Sequence, residues 1–309
     1  MKFLDVKTDL AFKKVFGSED SKPVLMSFLN AILYQDKAQQ IDDLVIVDPY
    51  TIPMLQGMKD TYVDVKARLN DGTQVIIEMQ VLNHQGFEKR VLYNAAKNYS
   101  VQLQKGDDYT LLNPVIALSI VDFTMFDDSD AVISRFKMFD KQHMIDYSDD
   151  IEMVFVELPK FTQGFDALHG ILDQWIYFLI HAGMMDYIPD SFAQPVATAL
   201  SLIDESVMSQ AELEAQHKRK EFIFIQKSSL ELAKEQGLTQ GLTQGRSEGI
   251  EQGLAQGRSE GIEQGFHEGA EKKQEEMARK MIEANLPDET IIQITGLNPE
   301  QLDAFKQLE

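Results

Sequence analysis

Apolar residues recur along the first third of the chain with two different periods. Leu10, Phe12, Val15 and Phe16 give one side of a short helix that opens at Thr8 and stops at Gly17. Leu25, Phe28, Leu29, Ile32 and Leu33 fall at i, i+3, i+4, i+7 and i+8, which predicts an amphipathic helix entered through Ser21 and Pro23. The run Leu44-Val45-Ile46-Val47 reads as a short strand ended by Asp48-Pro49. Residues 61–69 and 74–82 then alternate in the manner of two strands. Val91, Leu92, Ala95, Ala96, Tyr99 and Leu103 predict a helix over 86–105, closed by Gly106. The continuous apolar run VIALSIVDF at 115–123 marks a central strand buried on both faces. Segments 135–139 and 152–158 read as further strands, and 165–183 and 196–236 as mainly helical, with Pro195 as a break. This order predicts an α/β chain, a mixed α+β sheet flanked by helices.

Between the two paired segments lies Asn70-Asp71-Gly72-Thr73, a hairpin signal that admits two registers. A two-residue Asp71-Gly72 turn sets Asp64 opposite Met79. A three-residue loop, with Gly72 left-handed in a bulge, sets Asp64 opposite Glu78. A one-residue slip sends one strand's side chains to the wrong face, so the burial pattern decides. In the three-residue register Val63, Val65, Ala67 and Leu69 share a face with Val75, Ile77, Met79 and Val81. Tyr62, Asp64, Lys66 and Arg68 share the other with Gln74, Ile76, Glu78 and Gln80, and the three-residue loop is the reading adopted.

Farther along, glycine occupies every fourth position from Gly237 to Gly269, nine in all, and Gly245–Gln252 (GRSEGIEQ) recurs at Gly257–Gln264. Leu238, Leu242, Ile250, Leu254, Ile262 and Phe266 follow most of these glycines. Each glycine costs an isolated helix about 1 kcal/mol relative to alanine. The segment is therefore either a flexible linker or a helix whose glycines admit the close approach of another. Apolar residues in fixed phase favour the second, a self-associating helix, and a period of 4.0 implies a right-handed drift of the stripe. Residues 271–284 continue as a charged helix. A helix, turn and helix follow, the last of them (PEQLDAFKQLE) carrying Glu300, Asp303 and Glu309 against Lys306. That face suits docking or oligomerisation better than DNA. The domain boundaries expected are 1–235, 236–270 and 271–309.

Charge narrows the function classes. The chain has 29 Lys and Arg against 50 Asp and Glu, a net charge of −21. Residues 1–110 hold 13 of the bases and 15 of the acids, so the acid excess lies downstream. Nucleic-acid binding, which depends on cations displacing counterions, is confined to the N-terminal part. With no cysteine among 309 residues, a disulfide scaffold, a thiolate zinc site and a cysteine nucleophile are excluded. No stretch approaches the roughly 20 apolar residues of a membrane span. The opening MKFLDVKTDL lacks a signal peptide's apolar core, so no membrane and a cytoplasmic location are expected.

Candidate chemistry gathers on the hairpin. Asp64, Glu78 and Gln80 project from one face beside Lys66, and two carboxylates facing each other repel unless something lies between them. A divalent cation suits that place, and Mg²⁺ accepts one or two carboxylates with water and phosphate oxygens completing its shell. Gln80 could orient a water or a phosphate oxygen. The competing reading is the solvated face of an ordinary hairpin.

At this point several stretches resemble the Rpn family of recombination-promoting nucleases, often described as putative transposases, within the PD-(D/E)XK nuclease superfamily. They are TDLAFKKVFG (Thr8–Gly17), YVDVKARLNDGTQVIIEMQ (Tyr62–Gln80), KRVLYNAAKNYSVQLQKGDDY (Lys89–Tyr109), NPVIALSIVDF and VELPKF (Val156–Phe161). The similarity runs over roughly residues 1–235, and the glycine-rich tail resembles that of bacterial members.

The resemblance implies a restriction-endonuclease-like core and a metal-dependent DNA endonuclease that promotes recombination. Its ion would be Mg²⁺, or Mn²⁺ or Ca²⁺, held by Asp64 and Glu78. Asp9 would serve as an auxiliary ligand, or merely as a first-turn carboxylate favoured by the helix dipole. Gln80 stands where the family's usual lysine would be, and Lys66 is a candidate to supply the missing charge. Arg90, Lys97, Gln102 and Lys105 are candidates for phosphate contacts, with plain surface positions as the alternative. Partners implied are DNA and, through the glycine repeat, a second copy of the chain. The alternatives are a catalytically weak nucleic-acid-binding or regulatory protein, and an oligomeric scaffold organised by the tail.

Overall fold

The computed structural model describes residues 2–35, 40–51 and 61–306, with the backbone alone given at Tyr50, Thr51 and Thr61. The chain divides into two units, Met1–Ser229 and Leu230–Glu309. In the first, helices α1 (Asp9–Phe16) and α2 (Lys22–Leu33) precede strands β1 (Leu44–Val47), β2 (Tyr50–Thr51), β3 (Thr61–Tyr62), β4 (Val65–Leu69) and β5 (Gln74–Gln80). Helix α3 (Phe87–Ser100), strands β6 (Val115–Val121), β7 (Ile133–Asp140) and β8 (Ile145–Glu157), and helices α4 (Gly170–His181) and α5 (Gln194–Leu202) follow. A long helix, α6, runs from Gln210 to Glu283, and α7 (Asp288–Thr295) and α8 (Pro299–Lys306) end the described chain.

Six strands form one mixed sheet in the order β1-β4-β5-β6-β8-β7. The central pairs β5–β6 and β6–β8 are parallel and the outer ones antiparallel. All seven residues of β6 are buried, as expected for a strand covered on both faces. One face packs on α1, α2, α4 and α5 through a core that includes Phe12, Phe16, Phe28, Leu29 and Trp175. The other is covered by α3, whose Phe87, Val91 and Ala95 meet Ile76, Ala117 and Phe155.

The hairpin has the three-residue loop. Val65 pairs with Ile77 and Ala67 with Val75, the Leu69 N–H donates to the Thr73 carbonyl (2.9 Å), and Gly72 sits at φ +89°. A side chain at Gly72 would need that left-handed backbone and would also run into the Asn113 amide oxygen, 2.2 Å from an added Cβ.

Two expectations are corrected. Segment 61–69 is not one strand: it breaks at Val63-Asp64 into β3 and β4. In the established register Met79 would donate to the Val63 carbonyl, but the Asp64 carboxylate accepts that N–H instead (2.8 Å). The chain bends there, and Val63 turns to the α3 side while Val65 stays on the opposite one. The face carrying Glu78 is accordingly no solvated hairpin face, because α3 lies over it. The helix predicted over 86–105 ends at Ser100.

In the second unit the glycine repeat is helical throughout, as part of α6. Beyond it Ala278, Ile291, Leu297 and Leu302 enclose a small core between the end of α6, α7 and α8. Glu309, counted above in the last helix, lies outside the described residues. Among those described, no helix is long and apolar enough to cross a membrane.

Candidate active site

Two carboxylates and one guanidinium meet where β5 leaves the sheet. Asp64 is fixed by the Met79 N–H, and its own N–H donates to the Ile77 carbonyl (3.1 Å). Glu78 and Gln80 project from β5 on the α3 side, and the Gln80 amide nitrogen donates to the Leu82 carbonyl (2.7 Å). A short connection through Gly86 (φ +86°) starts α3, whose first turn delivers Arg90. Its Nη2 donates to Glu78 Oε1 and to Gln80 Oε1 (2.8 Å), and its Nη1 lies 3.2 Å from His84 Nε2.

Burial dominates the electrostatics. It raises the Glu78 carboxyl to about 7, against the pull of Arg90 and with a further push from Asp64. It also raises Asp64, with the Met79 N–H opposing; Asp9 pushes the same way, and Lys13 and Arg90 oppose. Two half-buried acids thus share a place where burial outweighs the pull of the cations beside them. Among the described residues no group of three or more His, Asp or Glu is gathered to hold a metal. Asp9 belongs to no such group and is ion-paired with Arg219 of α6 (3.5 Å).

The other predicted site residues are dispersed. Lys66 pairs across the ladder with Val47 and Ile76, and burial lowers its pKa while Asp48 opposes. The cations acting on the two carboxylates are Arg90 and Lys13, not Lys66. Lys97, expected at the surface, is buried at 3% exposure. Gln102 clasps Asn113, donating to its carbonyl (2.9 Å) and accepting from its N–H (3.0 Å), so it ties a loop. Lys105 is exposed, beyond the opposite end of α3 from Arg90. Arg90 alone of these four reaches the carboxylates.

Sequence reasoning missed three supports. Lys13, four residues after Asp9 and so on the same helix face, could have been found from that spacing. Arg219 lies in the basic run HKRK at 217–220, a signal left unweighed. Asp122, at the end of β6, donates its N–H to the Gln80 carbonyl (2.9 Å) and accepts from Lys7 (3.2 Å) and Lys227 (2.7 Å). Beneath them Glu157, wholly buried, accepts from the Met125 (2.6 Å) and Phe126 (3.1 Å) N–H groups and from Lys160 (2.7 Å). That is the physical content of the VELPKF stretch: it anchors the loop that follows β6.

With this geometry in place, comparison with known proteins gives one match. The family model described as PD-(D/E)XK nuclease family transposase covers residues 6–233, about three quarters of the chain. No curated protein and no solved structure matches.

Proposed function

From membership of the PD-(D/E)XK nuclease family of transposases, to which this chain belongs, we propose that it is a metal-dependent DNA endonuclease whose cleavage promotes recombination. The observation that carries the reading is the bend at Asp64, which brings a second acid beside Glu78 at the mouth of the sheet. The donor set fits a divalent cation. It is all oxygen and half-buried, Arg90 offsets the charge of Glu78 only in part, and two protein carboxylates leave room for water and phosphate oxygens, as Mg²⁺ prefers. Asp64 and Glu78 would hold the ion, with Asp9 as an outlying third acid. A bound ion would supply Lewis acidity and a water of lowered pKa.

The chain's own groups do the rest. The Met79 N–H keeps the Asp64 carboxylate aimed, and α3 excludes water from one flank of Glu78. Lys7 and Lys227 on Asp122, Arg219 on Asp9, and Lys13 acting on Asp64 offset the local acids, so a phosphate backbone would meet less repulsion here than over the acidic remainder of the protein. Water adds to phosphorus as the bond to the leaving sugar oxygen breaks, and that oxygen takes up a proton from solvent. Supercoiled plasmid with Mg²⁺ or Mn²⁺ tests this: Asp64→Asn and Glu78→Gln should each lower nicking by on the order of 10³-fold. Equal nicking by the wild type and both variants rejects the assignment. Binding of DNA with no cleavage at any metal concentration favours the regulatory alternative raised by Gln80.

We infer also that the tail pairs with a second copy. Four residues turn a helix through roughly 400°, so the glycine line advances about 40° per step and closes a circuit in about 36 residues, or ~54 Å. A glycine-lined right-handed crossing near −40°, wound at that pitch, places two axes roughly 6 Å apart. Ordinary side chains hold helices 8–10 Å apart, roughly. An added Cβ at any glycine from Gly237 to Gly269 meets nothing within 4 Å, so the line is open to a partner.

A further inference from the structure

Lysine is absent from position 80, yet the structure brings a cation to that spot. The Gln80 amide cannot rotate freely, because its nitrogen is committed to the Leu82 carbonyl (2.7 Å), and its oxygen therefore faces Arg90 Nη2 at 2.8 Å. The same Nη2 rests on Glu78. Phe87 supports the guanidinium from below, 5.3 Å from its ring centre. Arg90 Nε is buried with no hydrogen-bond partner, although an unmet buried donor is costly. The side chain is still 36% exposed, so an anion can reach its outer edge.

We propose that Arg90 is the positive group that faces the scissile phosphate, and that Gln80 positions it there in place of a motif lysine. The inference rests on the nuclease reading and goes beyond it by assigning one cation and its holder. As water adds to phosphorus and the bond to the leaving oxygen breaks, negative charge grows on the non-bridging oxygens. A guanidinium held against Glu78 and Gln80 needs little reorganisation to meet that charge. Lys66 shares the sheet face of Ile76 and Glu78, but the charge acting on it is that of Asp48, and the cations acting on the two carboxylates are Arg90 and Lys13.

The test uses the full chain, supercoiled plasmid and Mn²⁺, with Mn²⁺ affinity measured by calorimetry without DNA. Arg90→Gln should lower kcat about 10²-fold or more while KM changes by less than about threefold. Mn²⁺ should bind this variant several-fold more tightly, because Glu78 loses a competing cation. Arg90→Lys should recover part of kcat, and the double variant Gln80→Lys/Arg90→Gln should exceed Arg90→Gln by about tenfold. Should Arg90→Gln fail to fold, Arg90→Lys carries the test: a lowered kcat with KM and Mn²⁺ binding kept is expected, and a loss confined to KM or a loss of Mn²⁺ binding overturns the role. Wild-type kcat in Arg90→Gln, a loss confined to KM, loss of Mn²⁺ binding, or no recovery in the double variant would each overturn the role of Arg90. Asp64→Asn separates the two levels. If the wild type cuts nothing, or Asp64→Asn cuts as well as wild type, the nuclease reading itself fails and the arginine role with it.

Discussion

The two units treat the same kind of residue in opposite ways. In the first, Phe16, Leu29 and Trp175 are fully enclosed, at 0% exposure. Along the second unit's helix Leu242, Leu254 and Phe266 stand 66, 70 and 79% exposed, in regular phase with glycine. A buried side chain has found its partner within the chain. A periodic exposed one has no partner among the described residues, and the pairing proposed above would supply it. On the pairing proposed above, the glycine helix would draw its stabilisation from association, whereas the core of the first unit is closed by its own side chains.

One substitution made in both places shows the difference most strongly. Leu29→Ala should destabilise the first unit by about 2–5 kcal/mol, because the cavity it leaves is enclosed on every side. Leu254→Ala should leave the unfolding midpoint of that unit unchanged and instead weaken self-association. Chemical denaturation and sedimentation of the same two variants decide it. A tail variant that destabilises the sheet, or a core variant that leaves it intact, would contradict the division of labour.

Nearly as large is the effect expected at the buried pair that anchors the loop after β6. Removing Lys160 leaves the Glu157 carboxylate at 0% exposure with only two N–H donors. Lys160→Met should cost roughly 3 kcal/mol and displace the Asp122 segment beside Gln80. Thermal unfolding and nicking should both fall, and an unchanged melting curve would deny the anchor.

Much of the first unit could be read from the chain, and the reasons are local. Gly72 announced the bulge, and the alternation on either side fixed the register that sets Asp64 near Glu78. Val63 was misplaced because a side chain, not the backbone, accepts the Met79 N–H, and no alternation pattern reveals that exchange. Lys97 was taken for a surface cation because charge argues for exposure; its burial depends on what packs over α3 from elsewhere. Arg90 was placed on the correct helix, but its bond to Glu78 and Gln80 depends on how tightly the Gly86 connection turns, which composition does not disclose. For the tail, the repeat gave the period directly. The fixed phase of its apolar residues favours a helix over a linker, and the repeat is helical throughout.

A smaller effect separates the two views of the glycines by sign. If they only spoil a helix, Gly249→Ala with Gly253→Ala should raise helicity, by up to about 1 kcal/mol for each, and leave the assembly as it was or tighten it. If they line a seam roughly 6 Å wide, two methyl groups should force the helices apart, so helicity per monomer rises while association weakens. Circular dichroism at low concentration and sedimentation at high concentration read the two quantities separately. Tighter association with more helix would eliminate the glycine seam.

The smallest effect concerns the stretch of α6 that belongs to the first unit and so contrasts with the rest of the same helix. Glu212 accepts from Lys14 (2.8 Å) and from the Ser209 N–H (2.8 Å) and hydroxyl (2.8 Å). These contacts, that with Lys14 foremost, hold its carboxyl at about 2, below the ordinary 4.5. Because the folded value lies under the unfolded one, the contribution is complete above pH 4.5 and disappears as pH falls toward 2. Glu212→Gln should lower the melting temperature slightly at neutral pH, and the gap to wild type should close over that acid range. The pair is exposed, so added salt should narrow the gap as well. A gap that stays constant from pH 7 to pH 3, or is untouched by salt, would mean that α6 is held to the first unit by its buried contacts alone, such as that of Gln216 with Thr8.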